Sequence, residues 1–162
     1  MKIAVISDTH GLLRPEVRQI LSECGAVIHA GDLNTPQIVD EMKAAARPDV
    51  PFYIVRGNCD REQAEALPGH LEFTLAEMRF YVVHNPNDLP KDLGDRQIIV
   101  FGHSHRYLEE IRDGRLWLNP GSCGKRRFRL DLTMAVLTIE DGSWSVERVE
   151  IADKDRSARA GR

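Results

Sequence analysis

The chain has 162 residues, 42% of them apolar, and a formal net charge of −3; it is long enough for one domain with a proper core and too acidic for a generic nucleic-acid binder. Its three cysteines, Cys24, Cys59 and Cys123, form no C-x-x-C pair, which argues against a disulfide framework or zinc ribbon and for a reducing compartment. Met1-Lys2-Ile3 enters a strand without signal-peptide architecture, and no apolar stretch approaches the roughly 18 residues that span a bilayer, so a cytoplasmic protein with no membrane partner is expected.

In chain order, Lys2 to Ile6 is predicted as the first strand, ending at Ser7. Leu12 to Glu23 reads as a helix, because Pro15 suits an early helical position, Val17, Ile20 and Leu21 recur at helical spacing, and Gly25 ends it. A second strand reaches Ala30. Thr35-Pro36 opens a second helix through Val39, Met42 and Ala45-Ala46, stopped by Pro48. The third strand runs from Phe52 to Val55. This alternation predicts a parallel sheet. The second half changes character. Leu71 to Leu75 and Met78 to Val83 are predicted as a hairpin around Ala76-Glu77. Asn85 to Asp95, with two prolines, reads as a loop with room for a short helix. Ile98 to Phe101 is a further apolar run. Two more hairpins are expected around Asp113-Gly114 and Asp141-Gly142, the strongest short turn signals in the chain. Two mixed sheets packed face to face, with helices outside, accommodate both halves. Asp153 to Arg162 is charged and aperiodic, and is expected as a disordered tail to a domain spanning 1–152.

Five of the apolar runs end within three residues of a metal-binding side chain: Asp8 and His10, Asp32, Asn58, His84, then His103 and His105. Ligands of open α/β sheets bind beyond the carboxyl ends of the strands, so one sheet edge would collect two carboxylates, four imidazoles and one amide. Asp8 and His10, like His103 and His105, stand at i and i+2, which in extended backbone points both the same way. A carboxylate has two oxygens, so Asp32 can bridge two ions. Taken singly, each motif has an ordinary reading: Asp8 and Asp32 also suit helix caps, Gly57-Asn58 is a common turn, and a lone histidine is more often structural. The combination carries the weight. His29 and His70 are read as structural, with His29 placed to orient Asp32.

The ordered series Asp8-Thr9-His10, Gly31-Asp32, Gly57-Asn58, His84 and Gly102-His103-Ser104-His105 resembles the signature of calcineurin-like metallophosphoesterases. Asn119-Pro120-Gly121-Ser122 is similar to the small single-domain phosphodiesterase branch of bacteria and archaea. The resemblance implies a four-layer α/β/β/α sandwich. It implies one ion held by Asp8, His10, Asp32 and His105, and another held by Asp32, Asn58, His84 and His103. It implies Mn²⁺, with Fe, Ni or Zn as alternatives, and hydrolysis of a small or nucleotide-like phosphodiester by metal-bound hydroxide, Asp32 and Asn58 serving catalysis as well as binding. Donors without thiolate suit such ions in a catalytic role. A phosphomonoesterase, or a non-catalytic binding scaffold of the kind found in the eukaryotic retromer coat, is the alternative on the same fold.

Two departures stand out. Many relatives carry histidine after the Gly-Asn turn, where this chain has Cys59, as the small branch often does. A thiol of pKa about 8.5 is a poorer acid than imidazolium, so slow turnover and good leaving groups are expected, with Cys59 and Asp60 near the leaving group. After His84, where relatives continue with glycine, Asn85-Pro86-Asn87 follows, which bears on substrate choice. The basic run Lys125 to Arg129 would either gather an anionic substrate or form a solvated face or homo-oligomer contact.

Overall fold

The computed structural model describes residues 1–153; of the expected tail, Asp153 is described and pairs with Arg14 and Arg126, and the rest, from residue 154 on, lies outside the described residues. The first half forms β1 (Lys2–Ile6), α1 (Pro15–Glu23), β2 (Ala26–His29), α2 (Gln37–Ala45) and β3 (Phe52–Ile54). The second forms β4 (His70–Leu75), β5 (Met78–Val83), β6 (Ile98–Val100), β7 (Tyr107–Arg112), β8 (Arg115–Pro120), β9 (Thr133–Glu140) and β10 (Ser143–Glu150). The two sheets are ordered β10-β9-β1-β2-β3 and β4-β5-β6-β8-β7.

Both sheets are mixed. β1, β2 and β3 are parallel, and the β9–β10 hairpin returns antiparallel against β1. In the second sheet β5, β6 and β8 are parallel, flanked by antiparallel β4 and β7. The three hairpins stand at the predicted turns. Ala76 (φ 49°) and Glu77 (φ 66°) both adopt positive φ, as a two-residue hairpin loop of the favoured hand requires.

Period-two alternation sorts the apolar side chains into layers. Ile3, Val5 and Ile28 meet Phe80, Val82 and Val100 between the sheets. Ala4, Ile6 and Val27 face the other way, against Val17 and Leu21 of α1 and Ile38 and Met42 of α2. On the outer face of the second sheet, Tyr81, Val83, Ile99 and Phe101 are covered by Leu89 and Leu93. There the fourth layer is the β5–β6 connection with a single 3₁₀ turn at Pro86–Asp88. Pro90 keeps this turn from extending into an α-helix.

Helix α1 begins three residues later than its apolar spacing suggests. Pro15 takes the first helical position and holds Arg14 in extended backbone (φ −69°, ψ 150°). Leu12 and Leu13 therefore belong to a loop, although Leu13 still packs in the helical core. Because β1, β2 and β3 form one parallel trio and β5, β6 and β8 another, the loops that follow them meet at one edge of the sandwich.

Phe80 is among the largest fully buried side chains, stacked 4.9 Å from Phe73 between the sheets. Phe80→Ala is expected to cost about 3–5 kcal/mol of unfolding free energy. Urea denaturation reads this, and a cost under about 1 kcal/mol would show that the inter-sheet layer is not the main core.

Candidate metal centre

The loops beyond the strands are joined before any side chain is considered. Asp8 N donates to Gly31 O at 2.9 Å and His10 N to Asp32 O at 3.0 Å, extending the β1–β2 ladder into the loops. Gly102 N donates to His84 O at 3.0 Å, doing the same for β5 and β6. Neither Asp8 nor Asp32 caps a helix: the caps of α1 and α2 are Arg14 and Pro36, without side-chain capping bonds.

The structure brings all seven expected donors together. His105 Nε2 lies 3.2 Å from both Asp8 Oδ1 and His10 Nε2. His10 Nε2 is 3.7 Å from Asp8 Oδ1 and 3.9 Å from Asp32 Oδ2. On the other flank, His84 Nε2 is 3.3 Å from Asp32 Oδ2 and 3.1 Å from Asn58 Oδ1, and His103 Nδ1 is 3.2 Å from the same Asn58 oxygen. Asp32 Oδ2 thus stands between two donor groups.

The i, i+2 pairs do not converge by extended alternation, as the sequence suggested. Asp8 (φ 53°), His10 (46°), Asp32 (62°), His103 (75°) and His105 (60°) all adopt the left-handed region. Asp and His tolerate it better than most residues, at a cost of order 1–3 kcal/mol each. Five donors in this conformation mark a site held by its surroundings. Two glycines make room for it: a Cβ on Gly57 would overlap Asp32 Oδ1, and one on Gly102 would crowd Asp8 Oδ2.

Each carboxylate has one oxygen pinned and one presented. Asp8 Oδ2 accepts from Ser7 Oγ at 2.7 Å and His103 N at 3.2 Å, while Oδ1 is buried and accepts no hydrogen bond. Asp32 Oδ1 accepts from Cys59 N at 2.9 Å and turns Oδ2 inward. Two of the four imidazoles are oriented from behind. His84 Nδ1 donates to Ala30 O at 2.7 Å and His10 Nδ1 to Asn34 Oδ1 at 3.0 Å, which leaves both Nε2 lone pairs facing the centre.

The chemistry of the donor set suits cations. Asp8 Oδ1, Asp32 Oδ2, Asn58 Oδ1 and the inward imidazole nitrogens are acceptors aimed at one another. Asp8 is wholly buried and Asp32 is 3% exposed. Burial works against the charge of Asp32, yet the His84 and Cys59 contacts hold its carboxyl well below the usual range. Burial likewise opposes a cationic His84, but Asp32 and Asp8 outweigh it and raise the imidazole above its ordinary value. The site draws positive charge inward. Sets of donors lying within 4.8 Å of one another are Asp8-His10-His105, Asp8-Asp32-His84 and His10-Asp32-Cys59.

Other residues differ from their expected places. Asp60, expected beside the leaving group, is buried, and its carboxylate accepts from Asp32 N, Gly57 N and Asn34 N at 2.8 Å each. It fastens the two ligand loops to each other. His29 does not touch Asp32. Its Nδ1 accepts from Gly31 N at 3.1 Å, so Nε2 carries the proton and donates to Thr9 Oγ1 at 3.0 Å. Burial pushes its pKa down to about 3, so it is a neutral brace. His70 is exposed at the start of β4, stacked on Tyr81. Burial and Asp32 push the Cys59 thiol up, so it keeps its proton.

Asn34, Asn119 and Ser122 support the site without having been singled out as contacts. Asn119 Nδ2 donates to Gly102 O at 3.0 Å and Ser104 Oγ at 3.1 Å, and Ser122 Oγ donates to Asp8 O at 2.9 Å. Two cavities flank the donors. One of about 290 Å³ is lined by Arg56, Asn58, His84, Asn85, Asp88 and His103 among others. Another of about 400 Å³ is lined by Asn34, Asn58, Cys59, Arg61 and Glu62.

The chain belongs to the calcineurin-like phosphoesterase superfamily, whose domain profile matches residues 1–142. It is 30% identical over 160 residues to a probable metallophosphoesterase, YsnB, of Bacillus subtilis, covering 90% of this chain and 89% of that one. It is also 30% identical over 147 residues to the phosphodiesterase YfcE of Escherichia coli K12, covering 75% and 79% of the two chains. A crystal structure of a Vps29 single mutant from Entamoeba histolytica shares the fold at a TM-score of 0.72 and 22% identity, over 94% of this chain and all of that one. No helix among the described residues is long and apolar enough to cross a membrane.

Asp60→Asn places an amide where a carboxylate accepts three backbone N–H groups. It is expected to lower unfolding free energy by about 1.5–3 kcal/mol and to weaken Mn²⁺ binding about tenfold or more, read by urea denaturation and calorimetry. Unchanged stability and metal affinity with reduced turnover would instead return Asp60 to the leaving group.

Proposed function

We propose that the chain is a phosphodiesterase with two divalent ions, one held by Asp8, His10, Asp32 and His105 and the other by Asp32, Asn58, His84 and His103. The observation that carries this reading is the place of Asp32 Oδ2, 3.9 Å from His10 Nε2 and 3.3 Å from His84 Nε2. A single carboxylate oxygen between two sets of inward-facing acceptors suits a shared ligand. The mixture of imidazole, carboxylate and amide donors supports Mn²⁺, with Fe, Ni or Zn as alternatives. Two such ions, held there, would supply a water nucleophile usable near neutral pH and electrostatic stabilisation of the charge that develops on the phosphoryl oxygens.

The chain's own residues supply the rest. Ser7 and the His103 amide fix Asp8, and the Cys59 amide fixes Asp32, so neither carboxylate rotates as substrate arrives. Ala30 O and Asn34 Oδ1 hold His84 and His10 in the tautomers that face inward. The cavities meeting at Asn58 give room for two organic arms on one phosphorus, which favours a small or nucleotide-like diester over a monoester. Cys59, lining one of them, keeps its proton and is positioned as a weak acid toward a leaving oxygen.

A non-catalytic scaffold is the alternative that the likeness to Vps29 raises. The filled set of seven donors, with the tautomers of His10 and His84 set from behind, supports catalysis instead. Bound metal without turnover on any phosphoester would favour the scaffold.

Asp32→Asn is expected to reduce Mn²⁺-dependent hydrolysis of a chromogenic diester by more than about a hundredfold, beyond the loss typical of an outer partner, while circular dichroism stays that of the wild-type chain. An undiminished rate would refute a shared ligand. Cys59→His is expected to raise turnover on a diester with a poor leaving group by about tenfold or more, as a better-matched general acid would. No gain would remove Cys59 from the leaving-group side.

A further inference from the structure

The connection between β8 and β9 carries the densest basic run in the chain, Lys125-Arg126-Arg127-Phe128-Arg129, and the structure gives its members different places. The segment is docked on the Asp8-His10 loop. Arg14 Nε donates to Gly124 O at 2.9 Å, and Lys125 N donates to Thr9 O at 3.4 Å. Gly124 lies so close that a Cβ there would overlap the Thr9 carbonyl. Arg126 turns to Asp153 at 3.0 Å. Arg127 lies against the outer side of His10, with Nη2 3.5 Å from Nδ1, the ring nitrogen turned away from the centre. That nitrogen already donates its proton to Asn34 Oδ1, so it offers the guanidinium no acceptor. No ion-pair partner of Arg127 stands among the described residues. A cation is therefore anchored at the lip of the site with its donors uncommitted.

We infer that Arg127 is a substrate-phosphate contact, its guanidinium taking a non-bridging phosphate oxygen on the His10 flank. The inference rests on the phosphoesterase reading and adds a residue to it. Two divalent ions bring more positive charge than Asp8 and Asp32 offset. A guanidinium beside them is favourable only with an anion in between. Its coplanar N–H groups match phosphate oxygens, which a lysine's point charge does not. Arg127 lies on the His10 flank, whereas the cavity of about 290 Å³ lies on the His84 and His103 flank. The phosphoryl oxygens and an organic arm of the substrate thus have separate places.

The test compares the wild-type chain, Arg127→Ala and Arg129→Ala, each loaded with Mn²⁺. Arg129→Ala removes the same charge from the same exposed loop without a contact to the seven donors. Calorimetry reads the affinities for inorganic phosphate and for Mn²⁺, and a chromogenic diester gives KM and kcat. Arg127→Ala is expected to weaken phosphate binding and raise KM by about tenfold or more, the scale of a hydrogen bond to a charged group, with Mn²⁺ affinity within about twofold. Arg129→Ala is expected to stay within about twofold throughout. Equal effects of the two variants would overturn the inference in favour of a diffuse basic field. Loss of Mn²⁺ affinity in Arg127→Ala would overturn it in favour of a support for His10. A wild-type chain that shows neither Mn²⁺-dependent phosphate binding nor hydrolysis removes the phosphoesterase reading as well. An active wild type with an unaffected Arg127→Ala removes this inference alone.

Discussion

Asp8 and Asp32 are two carboxylates taken almost fully out of water at the place where two sheets meet. Burying like charges this close is strongly unfavourable unless positive charge lies between them. The rest of the edge answers that constraint. His84 is drawn toward its cationic form against the effect of burial, and Asp32 is held ionised. Four imidazoles and an amide oxygen complete a set of acceptors that divalent cations satisfy and protons satisfy only in part.

The fold serves this constraint by building the same unit twice. Each sheet contains three parallel strands: β1, β2 and β3 end the first sheet, with β9 and β10 beyond β1, whereas β5, β6 and β8 form the centre of the second, between β4 and β7. The carboxyl ends of both trios face one another, so donors from residues 8 to 105 need travel only a few residues beyond a strand. Backbone hydrogen bonds carry the ladders into the loops, and Asp60 ties the Asp32 and Gly57 loops together with three accepted amides. The left-handed residues among the donors show that local preference yields here to long-range fastening.

Much of this was legible from local pattern. The strands follow from short β-branched runs, and the hairpins at Asp113-Gly114 and Asp141-Gly142 follow from turn chemistry. The seven donors follow from their place after those runs. What local pattern does not contain is the partner across the molecule. Nothing in Leu33-Asn34 announces that the Asn34 side chain sets the tautomer of His10. Nothing in Asp60 distinguishes a leaving-group acid from a clamp on three backbone amides. His29 looked like a brace for Asp32 because the two are near in sequence, but strand pleating turns it to Thr9 instead. The helical expectation from Leu12 failed because Pro15 dictates the backbone of Arg14. The second sheet's parallel centre was hidden because β6 and β8 are separated by a hairpin strand that pairs on the far side.

The central claim is that Asp32 is shared by two cations, and crystals grown with Mn²⁺ test it most directly. Anomalous diffraction is expected to show two peaks about 3.5–4 Å apart, with Asp32 between them and the other six donors divided three and three. A single peak, or a pair that leaves Asp32 on one side only, would contradict the account.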